Sequence, residues 1–369
     1  MINKFKKIVI KIGSTSIINQ NNGKIKIKWL KSVCKDISSL ALENKKIIIV
    51  SSGAIALGKK NIKNKKNIRK LEDKQAAAAI GQIELAHCWQ QELKKNKINT
   101  AQLLLTLDDS EIRRRYLNVR KTITSLLKNK IVPIINENDT VATEEIRFGD
   151  NDRLAARVSQ MIDADLLIML SDVDGLYTES PRKNIKAKKI KNVKQIDSTI
   201  EKMADAPHSI FGSGGMATKI WAAKICMNSG CSTVITNGQK YYPISNIKEA
   251  NSTWFHASDS PRSSRKKWLL NHLHPSGTIV VDNGASKAIF HNKSLLPAGV
   301  MEIKGKFNRG DVISIINLKK QKIGIGVIAY DSHDSKKIIG KNSKDIKNIL
   351  GYEGRDELIH KDDLVLMNI

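Results

Sequence analysis

The sequence is poor in cysteine, in aromatic residues and in acid. Its 369 residues hold four cysteines (Cys34, Cys88, Cys226 and Cys231), which do not make a disulfide framework at this length and fit a reducing compartment. No run of about 18 apolar residues occurs, which excludes a spanning helix. At the start, Lys6, Lys7 and Lys11 interrupt the apolar residues of MINKFKKIVIKIGSTSII, so the block that a signal peptide needs is missing and a cytoplasmic location is expected. Several classes of chemistry are absent as motifs. There is no GxxxxGK[ST] loop and no protein-kinase catalytic loop. Cys226-x4-Cys231 and His272-x-His274 lack neighbours at zinc spacing, and no histidine stands out as a catalytic base.

Acidic residues number 36 against 63 lysines and arginines, a formal net charge of +27. A nucleic-acid surface is one reading of such an excess. The distribution favours another. Residues 271 to 369 carry only +4, and the rest is scattered through Lys24 to Lys31, Lys59 to Lys70 and Lys183 to Lys194, stretches also rich in Ile and Asn. Solvated faces account for that pattern, and aromatics at 5% offer few platforms for stacked bases. Nucleic acid is not expected as the main partner.

With 41% hydrophobic residues the chain is not disordered, and its length suits two or three domains. Up to about residue 250, short β-branched runs (KIVIKI from Lys7, KIIIV from Lys46, Ile98 to Leu105, Ile131 to Ile135, Leu166 to Leu170, Thr233 to Thr236) alternate with helical patterns. The helices are expected at Lys28 to Glu43, Asp73 to Lys95, Asp109 to Lys128, Asp152 to Asp163 and Met216 to Asn228. This predicts an α/β fold, a mainly parallel sheet sandwiched by helices. Near His256 the chain turns polar and basic, with one short helix expected at Arg265 to Asn271. After it TIVVD, KAIF, VMEIKG, DVISIIN and KIGIGVIAY read as strands of a small, mostly-β barrel domain, in which only SKDIKNIL looks helical. The expected division is a first domain over 1–255, a linker over 256–276 and a second domain over 277–369.

Parallel sheets bind ligands at the carboxyl ends of their strands. There this chain carries Lys11 with Gly13-Ser14-Thr15, then Ser51-Ser52-Gly53, then Asn136 to Asp139 and the Gly149-Asp150-Asn151-Asp152 turn, then Ser171-Asp172, and Gly212 to Gly215 opening a helix with Thr218 and Lys219. Together they describe one crevice. Gly-rich turns that open helices present free backbone N–H groups suited to phosphate. Lys11 and Lys219 can flank a transferring phosphoryl group. For Asp139, Asp150, Asp152 and Asp172 three roles stay open: metal ligand, recognition of a substrate ammonium, or orientation of the lysines. Turn and cap chemistry accounts for part of that run.

KIGSTSII, VSSGAIALG, PIINENDTVATEEIRFGDND, SDVDGLYT and GSGGMATK, in this order, resemble the amino-acid kinase family, and within it the members that phosphorylate L-glutamate. LLPAGVMEIKGKFNRGDVI and ILGYE resemble a PUA domain, a module also found on RNA-binding proteins. The resemblance implies transfer of the γ-phosphoryl of ATP, with Mg2+, to the side-chain carboxylate of L-glutamate as the first step of proline biosynthesis. It further implies proline as feedback inhibitor and a homo-oligomer, dimer or tetramer. By the same resemblance Lys11, Ser171, Asp172 and the stretch Ser213, Gly214, Gly215, Met216, Ala217, Thr218, Lys219 hold nucleotide. Ser52, Asp139 and Asn151 hold substrate, and Asp152 organises Lys11 and Lys219 for catalysis. The metal ligands stay open. Arg153 and Arg157 add charge beside the substrate loop, and Ser171 stands where Thr is commoner in the family.

Overall fold

The computed structural model describes residues 2–62, 70–141, 151–181, 184, 186–204, 215–261 and 275–366. The chain divides into two compact units, Met1–Pro261 and Arg262–Ile369. The expected helix at Arg265 to Asn271 lies outside the described residues.

The first unit is built on an eight-stranded sheet. Its strands are β1 (Lys7–Ile12), β2 (Lys46–Ser51), β3 (Thr100–Leu105), β4 (Val132–Glu137), β5 (Leu166–Ser171), β8 (Asn192–Val193), β9 (Ser232–Asn237) and β10 (Ser252–Phe255), with a separate β6–β7 hairpin (Leu176–Tyr177, Lys189–Ile190). The order is β3-β4-β2-β1-β5-β9-β10-β8, parallel except where β10 runs against β9. In β1, β2 and β5 alternate side chains enter two separate cores. Ile8, Ile10 and Ile12 face one and Val9 the other, as expected of strands covered on both faces.

Two helices cover the first face. In α2 (Ile27–Leu42), Leu30, Val33, Cys34 and Ile37 recur at helical spacing and are buried, while Lys28, Lys31 and Lys35 point to water. The Ala-rich α4 (Leu71–Lys94) starts with Glu72 and Asp73 and ends with Lys94, charges that suit its dipole. Between them, α3 (Ala54–Gly58) follows Gly53, whose φ of +118° favours glycine. It lies tightly on α4. A Cβ on Gly58 would sit 1.8 Å from the Ala77 carbonyl oxygen, and one on Gly81 would sit 1.9 Å from that of Ala54.

The opposite face is covered by α6 (Arg113–Lys128), α7 (Asn151–Met161) and α9 (Met216–Asn228), through Ile123, Ala155, Val158, Met161, Ile220 and Ala223. The single helix expected over Asp109 to Lys128 is two. A capping box between Thr106 and Asp109 opens a short α5 (Leu107–Glu111), and an extended Ile112 ends it and starts α6 afresh.

The second unit holds a five-stranded mixed sheet of β11 (Gly277–Val281), β12 (Val300–Lys304), β13 (Val312–Ile316), β14 (Lys322–Val327) and β15 (Leu364–Leu366), in the order β12-β11-β13-β14-β15. KAIF, expected as a strand, is the end of a helix over Asn283–Phe290. The carboxylate of Asp282 accepts from the Ala285 N–H at 2.6 Å and fixes the helix start. Asp331 caps Ser332–Ile338 in the same way, so SKDIKNIL is not the unit's only helical segment.

Candidate active site

Lys11 is the fifth residue of β1 and shares the face of Val9, towards α7 and α9. Its neighbours in the register are Val50 on β2 and Met169 on β5, so it stands in the middle of the sheet near the strand ends. Asp152 is the second residue of α7 and Lys219 the fourth of α9. The three side chains meet. Lys11 Nζ lies 2.6 Å from Asp152 Oδ1 and Lys219 Nζ 3.0 Å from Asp152 Oδ2, with Asp152 fully buried and both lysines nearly so. Thr218 Oγ1 lies 2.8 Å from the Gly215 carbonyl and 3.2 Å from Asp152 Oδ2, two acceptors that share its single hydroxyl proton. Burial by itself would raise the Asp152 carboxyl, but the two ammonium groups outweigh it and hold the group well below the ordinary carboxylate range. One anion thus holds two cations in a buried place, with a net positive charge left over.

A second, uncharged cluster begins one residue earlier. Asn151 Nδ2 donates to Ser52 Oγ at 2.7 Å, to Asn136 Oδ1 at 3.1 Å and, more weakly, to the Ser51 carbonyl at 3.4 Å. Asn136 in turn donates to Gln82 Oε1 at 2.6 Å, and Trp89 Nε1 donates to Ser51 Oγ at 3.0 Å. Because Asn151 and Asp152 are consecutive in the first turn of α7, the neutral and charged clusters are neighbours by construction.

Asp139 sits in the turn that follows β4, and burial pushes its carboxyl up to about 6. At the end of β5, Ser171 is buried and its Oγ donates to the exposed Asp172 at 3.1 Å; Asp172 lines an open cleft with Thr15, Lys26 and Gln239. Gly215 caps α9 at a point where an added Cβ would meet nothing within 4 Å, and Met216 and Ala217 lean half-buried on the core behind. Ser213, Gly214 and Asp150 lie outside the described residues. The structure therefore brings Lys11, Asp152, Thr218 and Lys219 together, and Ser52 with Asn151. Sequence reasoning missed Gln82, a polar residue in mid-helix with no local signal. Asn136 was visible only as part of the Asn136 to Asp139 run.

All four cysteines are free, and among the described residues no group of three His, Cys, Asp or Glu could hold a metal ion. Among the same residues no helix is long and apolar enough to cross a membrane.

Residues 6–237 match the model of the amino acid kinase family, and residues 277–350 that of the PUA domain. A glutamate 5-kinase of Paramagnetospirillum magneticum is 49% identical over 362 residues, 98% of each chain. One from Sinorhizobium fredii is 48% identical over 99% of this chain and 93% of its own. Among solved structures, a carbamate kinase from Giardia lamblia bound to AMP-PNP is similar in fold, with a TM-score of 0.50 at 17% identity over 69% of this chain and 100% of its own. By its mainly parallel sheet and a family match over most of its length, the chain belongs to the amino acid kinase family.

Proposed function

We infer that the protein transfers the γ-phosphoryl group of ATP to the side-chain carboxylate of L-glutamate, giving L-glutamyl 5-phosphate, the first step of proline biosynthesis. The observation that carries this reading is the buried Lys11–Asp152–Lys219 cluster. Phosphoryl transfer asks for positioning and for fixed positive charge where the equatorial oxygens gain negative charge. Asp152 keeps both ammonium groups in place and stops them repelling each other. Its own oxygens are occupied, so its role is to orient the lysines. The acceptor brings its own nucleophile, since a glutamate side chain with a pKa of about 4.3 is ionised at neutral pH and needs no general base. The obstacle is repulsion between that carboxylate and ATP, which two lysines and the N-terminus of α9 offset.

The reading assigns nucleotide to Lys11, to Ser171 and Asp172, and to the stretch from Ser213 through Lys219. Mg2+ arrives as part of the nucleotide substrate, on phosphate oxygens and water, a mode that needs few protein ligands. Ser52, Asn151 and Asp139 hold glutamate. The half-buried Asp139 and the carbonyl oxygen of Asn151, which has no hydrogen-bond partner among the described residues, both suit an ammonium group. The kinase reaction occupies residues 1–255, joined through 256–276 to a PUA-like domain over 277–369. Feedback inhibition by proline, a homo-oligomer and a cytoplasmic location complete the reading, the last in line with four free thiols.

The test is an ATP-consumption assay across L-glutamate, N-acetylglutamate, L-aspartate and nucleoside monophosphates, with hydroxylamine to trap an acyl phosphate. A hydroxamate formed from L-glutamate alone is expected. Equal or better turnover with another acceptor would overturn the assignment.

A further inference from the structure

A side-chain amide offers a donor at one end and an acceptor at the other, so a ligand can use it only if something fixes which end faces the site. Around Asn151 the fixing groups can be followed outward. Its Nδ2 faces two oxygens that can only accept, the Ser51 carbonyl at 3.4 Å and Asn136 Oδ1 at 3.1 Å. Reversing Asn151 would set its own oxygen against both. The oxygen of Asn136 faces Asn151 only while the Asn136 nitrogen is engaged elsewhere. That engagement is the 2.6 Å bond to Gln82 Oε1 on α4. At the inner end of this chain Asn151 Oδ1 is buried and has no hydrogen-bond partner among the described residues. A buried acceptor left unpaired is costly, and a ligand that donates to it recovers that cost.

We propose that Gln82 is a positioning residue for the amino-acid substrate. By accepting from Asn136 it turns Asn136, and through it Asn151, so that an oxygen rather than an NH2 group is presented to the ligand. The site then selects an acceptor molecule bearing an ammonium over one that lacks it. Gln82 acts here through Asn136, and α4 is held against α3 at the Gly58–Gly81 approach, which gives this relay a rigid outer anchor. The inference rests on the glutamate-kinase reading for the identity of the ligand.

The experiment uses the full chain and three variants. Gln82→Met keeps the side-chain length but removes the acceptor. Gln82→Ala repeats the removal with a small, helix-favouring side chain, should the thioether disturb packing. Gln82→Glu keeps an acceptor that cannot donate. Two constants are read for each: the KM for L-glutamate with its kcat, and the Ki of glutarate, which lacks the ammonium, as a competitor of L-glutamate. For Gln82→Met and Gln82→Ala the expected result is a KM raised about tenfold, kcat within about twofold and a glutarate Ki nearly unmoved. Gln82→Glu should restore KM to near the parent value. KM and Ki rising together would reveal a general loosening of the site and overturn the proposal, as would an unchanged KM or a Gln82→Glu variant as impaired as Gln82→Met. A parent protein that yields no hydroxamate from L-glutamate would instead sink the activity itself.

Discussion

Asp152 and Asp139 are both carboxylates near the ends of strands in one sheet, and their surroundings push them in opposite directions. Asp152 is fully buried, yet Lys11 and Lys219 keep it ionised well below the usual range. Asp139 is less buried, pairs with no cation among the described residues, and rises to about 6. The difference lies in where the counter-charge comes from. Asp152 has its counter-charges resident in the fold, Lys11 and Lys219. Asp139 has burial without a counter-charge among the described residues, and under the proposed function the substrate ammonium would supply one.

The strongest way to break this contrast is to remove a resident cation. Lys219→Ala is expected to lower kcat about a thousandfold while the glutamate KM moves only a few-fold, because the ammonium acts on charge that develops during transfer. Steady-state kinetics with hydroxylamine trapping decides it. A large rise in KM at unchanged kcat would remove Lys219 from the phosphoryl clamp.

Asp152→Asn attacks the same cluster from the anionic side. It leaves Lys11 and Lys219 facing each other with no anion between them, a buried charge pair broken by loss of one partner. A loss of about 3 kcal/mol of stability is expected, seen as a lower denaturation midpoint at pH 7. The folded-state pKa of Asp152 is depressed, so its contribution is present above the unfolded value near 4 and is lost as the pH falls below it. The gap between parent and variant should be level from pH 6 to 8 and shrink only in acid. A gap that closes near pH 6 instead would contradict the ion-pair account.

The legibility of the sequence follows the same line. Strands that run through a core covered on both faces appear as unbroken apolar runs, and each of the main parallel strands was found within about two residues of its place. Lys11, Asp152 and Lys219 stood out because ionic groups at strand ends and helix starts have few other reasons to be there. What escaped notice depended on single hydrogen bonds. Asp282 overrode the β-branched appearance of KAIF, the Thr106–Asp109 box started a helix of its own that ends at an extended Ile112, and Gln82 acquires meaning only through an Asn136 that lies 54 residues away. Such bonds have no periodicity, so a pattern search cannot register them.

The remaining two effects are smaller and concern Asp139. Asp139→Asn removes a charge that the folded protein holds at a disadvantage. Because the folded-state pKa is raised, the favourable contribution of Asp139 is full below about 4 and lost as the pH climbs through about 6. The variant should therefore be more stable than the parent by about 1 kcal/mol at pH 8 and no more stable at pH 4, while its glutamate KM rises about tenfold. Thermal unfolding at the two pH values, set beside the KM, tests both halves.

The last effect is a few-fold change in the parent protein alone. Between pH 5 and 8 the side chain of glutamate stays ionised and its α-ammonium stays protonated, so neither end of the substrate titrates in that window. In the free enzyme, burial pushes the Asp139 carboxyl up to about 6, inside that window. As the pH falls through about 6 its carboxylate takes up a proton and can no longer pair with the ammonium, so kcat/KM for glutamate should fall on the acid side with an apparent pKa near 6. At saturating glutamate kcat should hold to lower pH, because the bound ammonium draws the carboxyl back towards the ordinary range. The same profile run on Asp139→Asn should lose its acid limb. An acid limb that persists in the variant would assign the titration to another group and leave Asp139 as an ordinary turn residue, with Asp152 the sole working carboxylate of the pair.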